Sequence, residues 1–188
     1  MVIMILGLVI FFVVHMISII NDPWRDRMAA TPGELTWKGV YSLLSLIGFG
    51  LMLWGYGMAN QDSMIVYDPP VWLRHLSMLL MVPVFPLLLA AYFPGRIKSF
   101  VKHPMLVATI LWAFSHLLVN GSLVDVLLFG SFLIWAVQDL LSMSRRTQRT
   151  LPGAPPQRRT ISLHWSLGLG VYGLFVVWLH EALIGVAI

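Results

Sequence analysis

The stretch Val2-Ile-Met-Ile-Leu-Gly-Leu-Val-Ile-Phe-Phe-Val-Val-His15-Met-Ile-Ser-Ile-Ile20 holds no Asp, Glu, Lys or Arg. Nineteen such residues in helical form cover roughly 28 Å at 1.5 Å each, close to the ~30 Å hydrocarbon core of a bilayer. The run has no basic segment ahead of it and no small-residue cleavage site behind it, so it reads as a retained span and not as a signal peptide. It stops at Asn21-Asp22-Pro23, where polar groups and proline break an apolar helix.

The rest of the chain repeats this pattern. Of 188 residues 59% are hydrophobic and 11% charged, against roughly 25% charged in a soluble domain. Breaks at Thr31-Pro32-Gly33-Glu34, Tyr67-Asp68-Pro69-Pro70, Phe93-Pro94-Gly95, Asn120-Gly121 and the Pro/Gly-rich stretch 151–156 divide the chain. They predict helices over 2–20, 38–58, 71–93, 105–119, 122–143 and 161–184. The fold expected is an all-α, polytopic transmembrane helix bundle of about six spans, forming a single domain over 1–188. Trp37, Tyr67, Trp72, Tyr92, Trp165 and Trp178 stand at run ends, as interfacial aromatics do. Pro83 and Pro86 predict a kink in the third span, tolerated where polar side chains satisfy the freed carbonyls. Helix 4 is short for a full crossing, so helices 4 and 5 read either as two spans or as a re-entrant hairpin.

Charge sets the expected orientation. Eleven of twelve Lys and Arg fall in the first, third and fifth loops; the exception is Arg74. The positive-inside rule makes that face cytoplasmic and both termini non-cytoplasmic. A net charge of +4 carried in loops beside spans points to the lipid surface and not to nucleic acid. The chain has no cysteine, which excludes disulfides, thiolate metal sites and cysteine nucleophiles. No phosphate-binding, dinucleotide-binding, nucleophile-elbow or zincin motif occurs.

Ionisable groups inside a membrane are costly, so each needs a reason. His75, His103, His164 and His180 lie near span ends, where interfacial anchoring accounts for them. His15 and His116 are different. Each lies about 18 Å from the start of its helix, and the two helices run in opposite directions, so both rings reach middle depth. Two neutral imidazoles in a bundle core can hold a haem iron from both sides. Equally, each can bond a backbone carbonyl and serve packing; depth alone does not choose. Asp125 is expected to pair with Arg74 or His75, and Asp139 with Lys102 or His103.

The segments Gly7–His15, Lys38–Ser45 with Trp54-Gly-Tyr56, Pro70-Val-Trp-Leu-Arg-His75, Pro94–Lys98, Lys102-His-Pro-Met105, Leu111–Gly121 and Trp178–Gly185 carry a family pattern. The chain resembles the NnrU family of bacterial membrane proteins, to which the plant 15-cis-zeta-carotene isomerase is related. The resemblance covers nearly the whole chain. It implies a multi-pass protein of the bacterial inner membrane that binds haem b, with His15 and His116 at the positions of the iron-ligating histidines. Arg74 and His75 on one side, or Lys102 on the other, would then hold the propionates. The isomerase has a cysteine three residues before the second histidine; this chain has Ala113, so a His/Cys ligand switch is impossible here. The family's association with denitrification implies redox or nitric oxide chemistry, with a diatomic gas as ligand and a respiratory or denitrification enzyme as partner. Three alternatives stand beside this: a haem-dependent cis-trans isomerase of a hydrophobic polyene, a small membrane methyltransferase using Lys102-His103-Pro104, and an assembly partner without cofactor.

Overall fold

The structure, a computed structural model, describes residues 1–93, 95–146 and 160–184. The linker-like stretch 151–156 and Arg149, Arg158 and Arg159 of the fifth loop lie outside the described residues. Every regular element among the described residues is helical, apart from one isolated bridge between Ile65 and Ser122. Four described helical stretches are long and apolar enough to cross a bilayer: Val2–Ile20, Glu34–Ala59, Leu73–Tyr92 and Leu123–Ser142. Much of their apolar surface faces outward, as with Val9, Leu46 and Ile134, which are 53%, 69% and 60% exposed. In water such faces would be costly; against lipid tails they are at home.

Two compact units divide the chain, Met1–Tyr67 with Gly121–Gln148, and Asp68–Asn120 with Arg149–Ile188. The first unit contains α1 (Val2–Ile20), α2 (Asp22–Ala30), α3 (Glu34–Ala59) and α8 (Leu123–Ser142). The first expected helix is reproduced to the residue. The same Asn21-Asp22-Pro23 that ends it also starts α2, because the Asn21 side chain accepts a bond from the Trp24 backbone N–H and proline fits a first helical turn. The sequence pattern alone predicts only a loop there. The second span begins four residues earlier than expected, at Glu34, where Gly33 turns the chain with φ of +89° and Glu34 pairs with Lys38 one turn on.

α1 and α3 form the most extensive helix pair. Glycines make it possible. A Cβ on Gly48 would sit 2.7 Å from the Phe11 backbone nitrogen, and one on Gly7 or Gly55 would strike the backbone of Met52 or Met4. Small residues that let helix backbones touch are a recurrent device in membranes, where packing must replace hydrophobic drive. α8 completes the unit. Its Ser122–Asp125 capping box closes the N-terminus, and the Tyr56 hydroxyl donates to Asp125 Oδ1 at 2.7 Å. Both Asp125 oxygens are thus engaged by Ser122 and Tyr56, and not by the cations expected from the sequence. Removing that donor with Tyr56→Phe is expected to cost about 1.5–3 kcal/mol, the range for bonds to charged groups. Thermal unfolding in detergent should show the loss, while Tyr92→Phe, an exposed tyrosine, should leave the midpoint unchanged.

The second unit contains α4 (Leu73–Met81), α5 (Val84–Tyr92), α6 (Arg96–Val101), α7 (Pro104–Leu117) and α9 (Thr160–Leu174), then a π-helical turn at Phe175–Leu179 and α10 (His180–Ile184). α4 and α5 are the expected third span, broken at Val82-Pro83. The Val82 N–H bonds back to Leu79, which leaves the Met78 carbonyl without its helical donor; the Tyr172 hydroxyl of α9 supplies one at 2.9 Å. The kink is therefore stabilised as expected, by a polar side chain from a neighbour. Pro86 packs on Gly168, where a Cβ would lie 2.6 Å from the proline ring. The core gathers around Val84, Leu87 and Ala108.

Candidate functional site

His15 lies on α1 in the first unit. Its Nδ1 is 2.7 Å from the carbonyl oxygen of Phe11, one turn earlier. A carbonyl only accepts, so Nδ1 carries the proton and Nε2 keeps the lone pair in the neutral ring. No described group hydrogen-bonds Nε2. The ring is stacked on Phe11, with centroids 3.9 Å apart and planes 19° from parallel. Tyr41 of α3 lies 5.1 Å away and Trp135 of α8 stands perpendicular at 5.5 Å. Three helices therefore fix one imidazole in an aromatic box.

Polar groups continue from this box along α8. Asp139, one turn beyond Trp135, is buried and paired with Arg146. The sequence suggested an ion pair for Asp139, but with Lys102 or His103; Arg146 lies just past the same helix. Two buried donors have no acceptor among the described residues, Trp135 Nε1 and Arg146 Nε. Each unmade bond costs on the order of 1–3 kcal/mol, so such groups commonly mark a place where something else accepts. Arg146→Ala would leave Asp139 buried without its cation and is expected to cost about 3 kcal/mol. The double variant Arg146→Met with Asp139→Leu should recover most of that loss in a thermal melt, because the pair's stability is set by the penalty of isolating one charge.

His116 lies on α7 in the second unit, with the same local device. Its Nδ1 is 2.8 Å from the Trp112 carbonyl oxygen, and the Trp112 ring is 5.3 Å away. Nε2 again keeps the lone pair. The Asn120 side chain caps the helix end by donating to the His116 carbonyl at 3.0 Å. Ser77 Oγ donates to the Ser115 carbonyl at 2.9 Å, which ties α4 to α7 beside this histidine. Ser115 Oγ is buried and has no hydrogen-bond partner among the described residues. Ala113 is fully buried.

Arg74 and His75 lie in the first turn of α4, both exposed, in the same unit as His116. His15 belongs to the other unit. Sequence reasoning missed Tyr41, Trp135 and Arg146. The signal available for them was weak: Trp135 and Asp139 share a face at i, i+4, but what that face meets is decided by tertiary packing.

Among the described residues no three His, Asp or Glu side chains gather as a metal cage. The donor set is instead an imidazole lone pair at middle depth in each unit, with orphaned N–H donors beside one of them. Imidazole nitrogens and N–H donors are the kinds of group that haem iron and haem carboxylates take.

The family model described as NnrU protein matches residues 3–188. No curated protein and no solved structure matches the chain.

Proposed function

The chain belongs to the NnrU family, and from that premise we propose that it is a haem b-binding protein of the bacterial inner membrane, acting in redox or nitric oxide-linked metabolism. The observation that carries this reading is the shared tautomer of His15 and His116. Both rings commit Nδ1–H to the carbonyl one turn back and so present Nε2 as the lone-pair nitrogen. Histidines that ligate a metal are oriented in this way, because a hydrogen bond on the far nitrogen fixes the ring and raises its basicity.

His15 and His116 would hold the group through their Nε2 atoms. When bound, haem b would supply a one-electron redox centre. The remaining work belongs to the chain. Phe11, Tyr41 and Trp135 hold the His15 ring in place. The N–H groups of Trp135 and Arg146, orphaned otherwise, would bond a propionate, a role that the sequence reading gave to Arg74 and His75 or to Lys102. Ala113 offers no thiol, so ligation rests on imidazole alone. With six crossings and both termini outside, the basic loops would lie in the cytoplasm, where a respiratory or denitrification enzyme would dock.

The test is the haem content of the purified protein, measured as its pyridine haemochrome. About one haem b per chain is expected. A colourless protein that stays colourless after incubation with haemin would overturn the proposal.

A further inference from the structure

A groove of about 670 Å³ opens in the second unit between α5, α6 and α9. Its size lies within the ~300–1,000 Å³ typical of ligand sites. The walls are apolar, formed by Pro83, Pro86, Leu87, Phe100 and Trp165, and Arg96 lies at the edge. Neither His15 nor His116 lines it, so it is separate from the proposed haem ligands.

Charge decides what fits. No carboxylate lines the groove. The stretch 69–124 contains no Asp or Glu at all, while it holds Arg74, Arg96, Lys98 and Lys102. The second unit as a whole carries seven Lys and Arg against two carboxylates, Asp68 and Glu181. The Lys98 ammonium is already used, donating to the Ala91 carbonyl at 3.3 Å. Arg96 is exposed and forms no ion pair among the described residues. Lys102 follows Val101 at a positive φ of 61°, in a tight turn closed by the His103 N–H on the Val101 carbonyl. A cationic edge on an apolar trough, beside an 89% exposed Phe100 and a half-exposed Trp165, calls for an anionic head joined to an apolar chain.

We propose that this groove holds one anionic phospholipid, with its phosphate at Arg96 and an acyl chain along Pro83, Phe100 and Trp165. Basic pockets between helices on the cytoplasmic side select anionic head groups in this way, and the positive-inside reading puts α6 on that side. The lipid offsets part of the unit's excess positive charge.

The experiment uses the full chain in detergent, exchanged into equal parts phosphatidylglycerol and phosphatidylcholine, with retained lipid counted by native mass spectrometry. Phosphatidylglycerol should be retained in preference, and Arg96→Gln should weaken that preference about five-fold, the effect of one cation near a membrane surface. Arg96→Lys should keep it, and Lys38→Gln, whose partner is Glu34 in the other unit, should leave it unchanged. Quenching of Trp165 fluorescence by brominated phosphatidylglycerol, absent in Trp165→Phe, should place the chain in the groove. Equal retention of the two lipids by the wild type, or no effect of Arg96→Gln in a monodisperse protein, would overturn the proposal. Displacement by inorganic phosphate would reduce the site to a simple anion site. Displacement by a neutral polyene, with Arg96 irrelevant, would make the groove an apolar ligand pocket instead.

Discussion

Alanine at His15 and alanine at His116 should each lower haem affinity on the order of 100-fold or more, because each would remove one of the two nitrogens proposed to hold the iron. Loss of an outer-sphere partner of a metal-bound histidine already costs roughly 10–100-fold. The two variants are therefore expected to emerge from purification nearly colourless, although neither change disturbs the helix it sits in. Each ring bonds the carbonyl one turn back in its own helix through Nδ1, and alanine is the best helix former. Changes around the His15 ring should act more weakly. Trp135→Phe keeps the aromatic box but deletes the orphaned donor and should lower affinity about ten-fold. Haem titration monitored by absorbance ranks the four proteins. Wild-type affinity in either alanine variant would remove that histidine from the ligand set.

The second large effect concerns the helix pair that carries His15. Gly55→Leu should cost on the order of 4–5 kcal/mol, at the severe end for one substitution, since even the Cβ would strike the backbone of Met4. Backbone cannot step aside as a flexible side chain can. α1 would be pushed off α3, and Tyr41 of α3 would leave the His15 box with it. Gly57→Leu, two residues along the same helix, provides the control. Its Cβ meets nothing within 4 Å, and leucine favours the helix more than glycine does. The expected outcome is a Gly55→Leu protein that is poorly recovered and melts far below the wild type, beside a Gly57→Leu protein that is as stable as the wild type or more so. Equal stability of the two variants would contradict the α1–α3 packing.

How much of this was legible in the sequence differs from element to element. α1 was fully legible, because an uninterrupted apolar run bounded by Asn-Asp-Pro leaves one reading. The kink at Val82-Pro83 was legible too, since proline lacks the donor that a straight helix needs. The donor that repairs it, Tyr172, was not, because it comes from 94 positions away. α2 was missed for a related reason: the residues that stop one helix are also good starters of another, and local pattern cannot say whether a second helix follows. The capping box of α8 stands in the sequence as Ser122-Leu-Val-Asp125, yet Asp125 was matched to cations by depth alone, while Tyr56 lies on another helix.

The site shows the same division. The mid-span histidines were visible because a titratable ring in an apolar run is rare enough to stand out. Their tautomers became clear only from the carbonyls they bond. Trp135 and Arg146 passed unnoticed because a tryptophan in a span reads as packing and an arginine after one reads as topology. Their orphaned N–H groups, visible only in three dimensions, give them a different meaning.

The central claim is that the two imidazoles hold one iron together, and the most direct test is the electron paramagnetic resonance spectrum of the oxidised protein. The account predicts a low-spin ferric signal with two nitrogenous axial ligands in the wild type, replaced by high-spin signal or lost outright in both His15→Ala and His116→Ala. A low-spin signal that survives unchanged in either variant would contradict it.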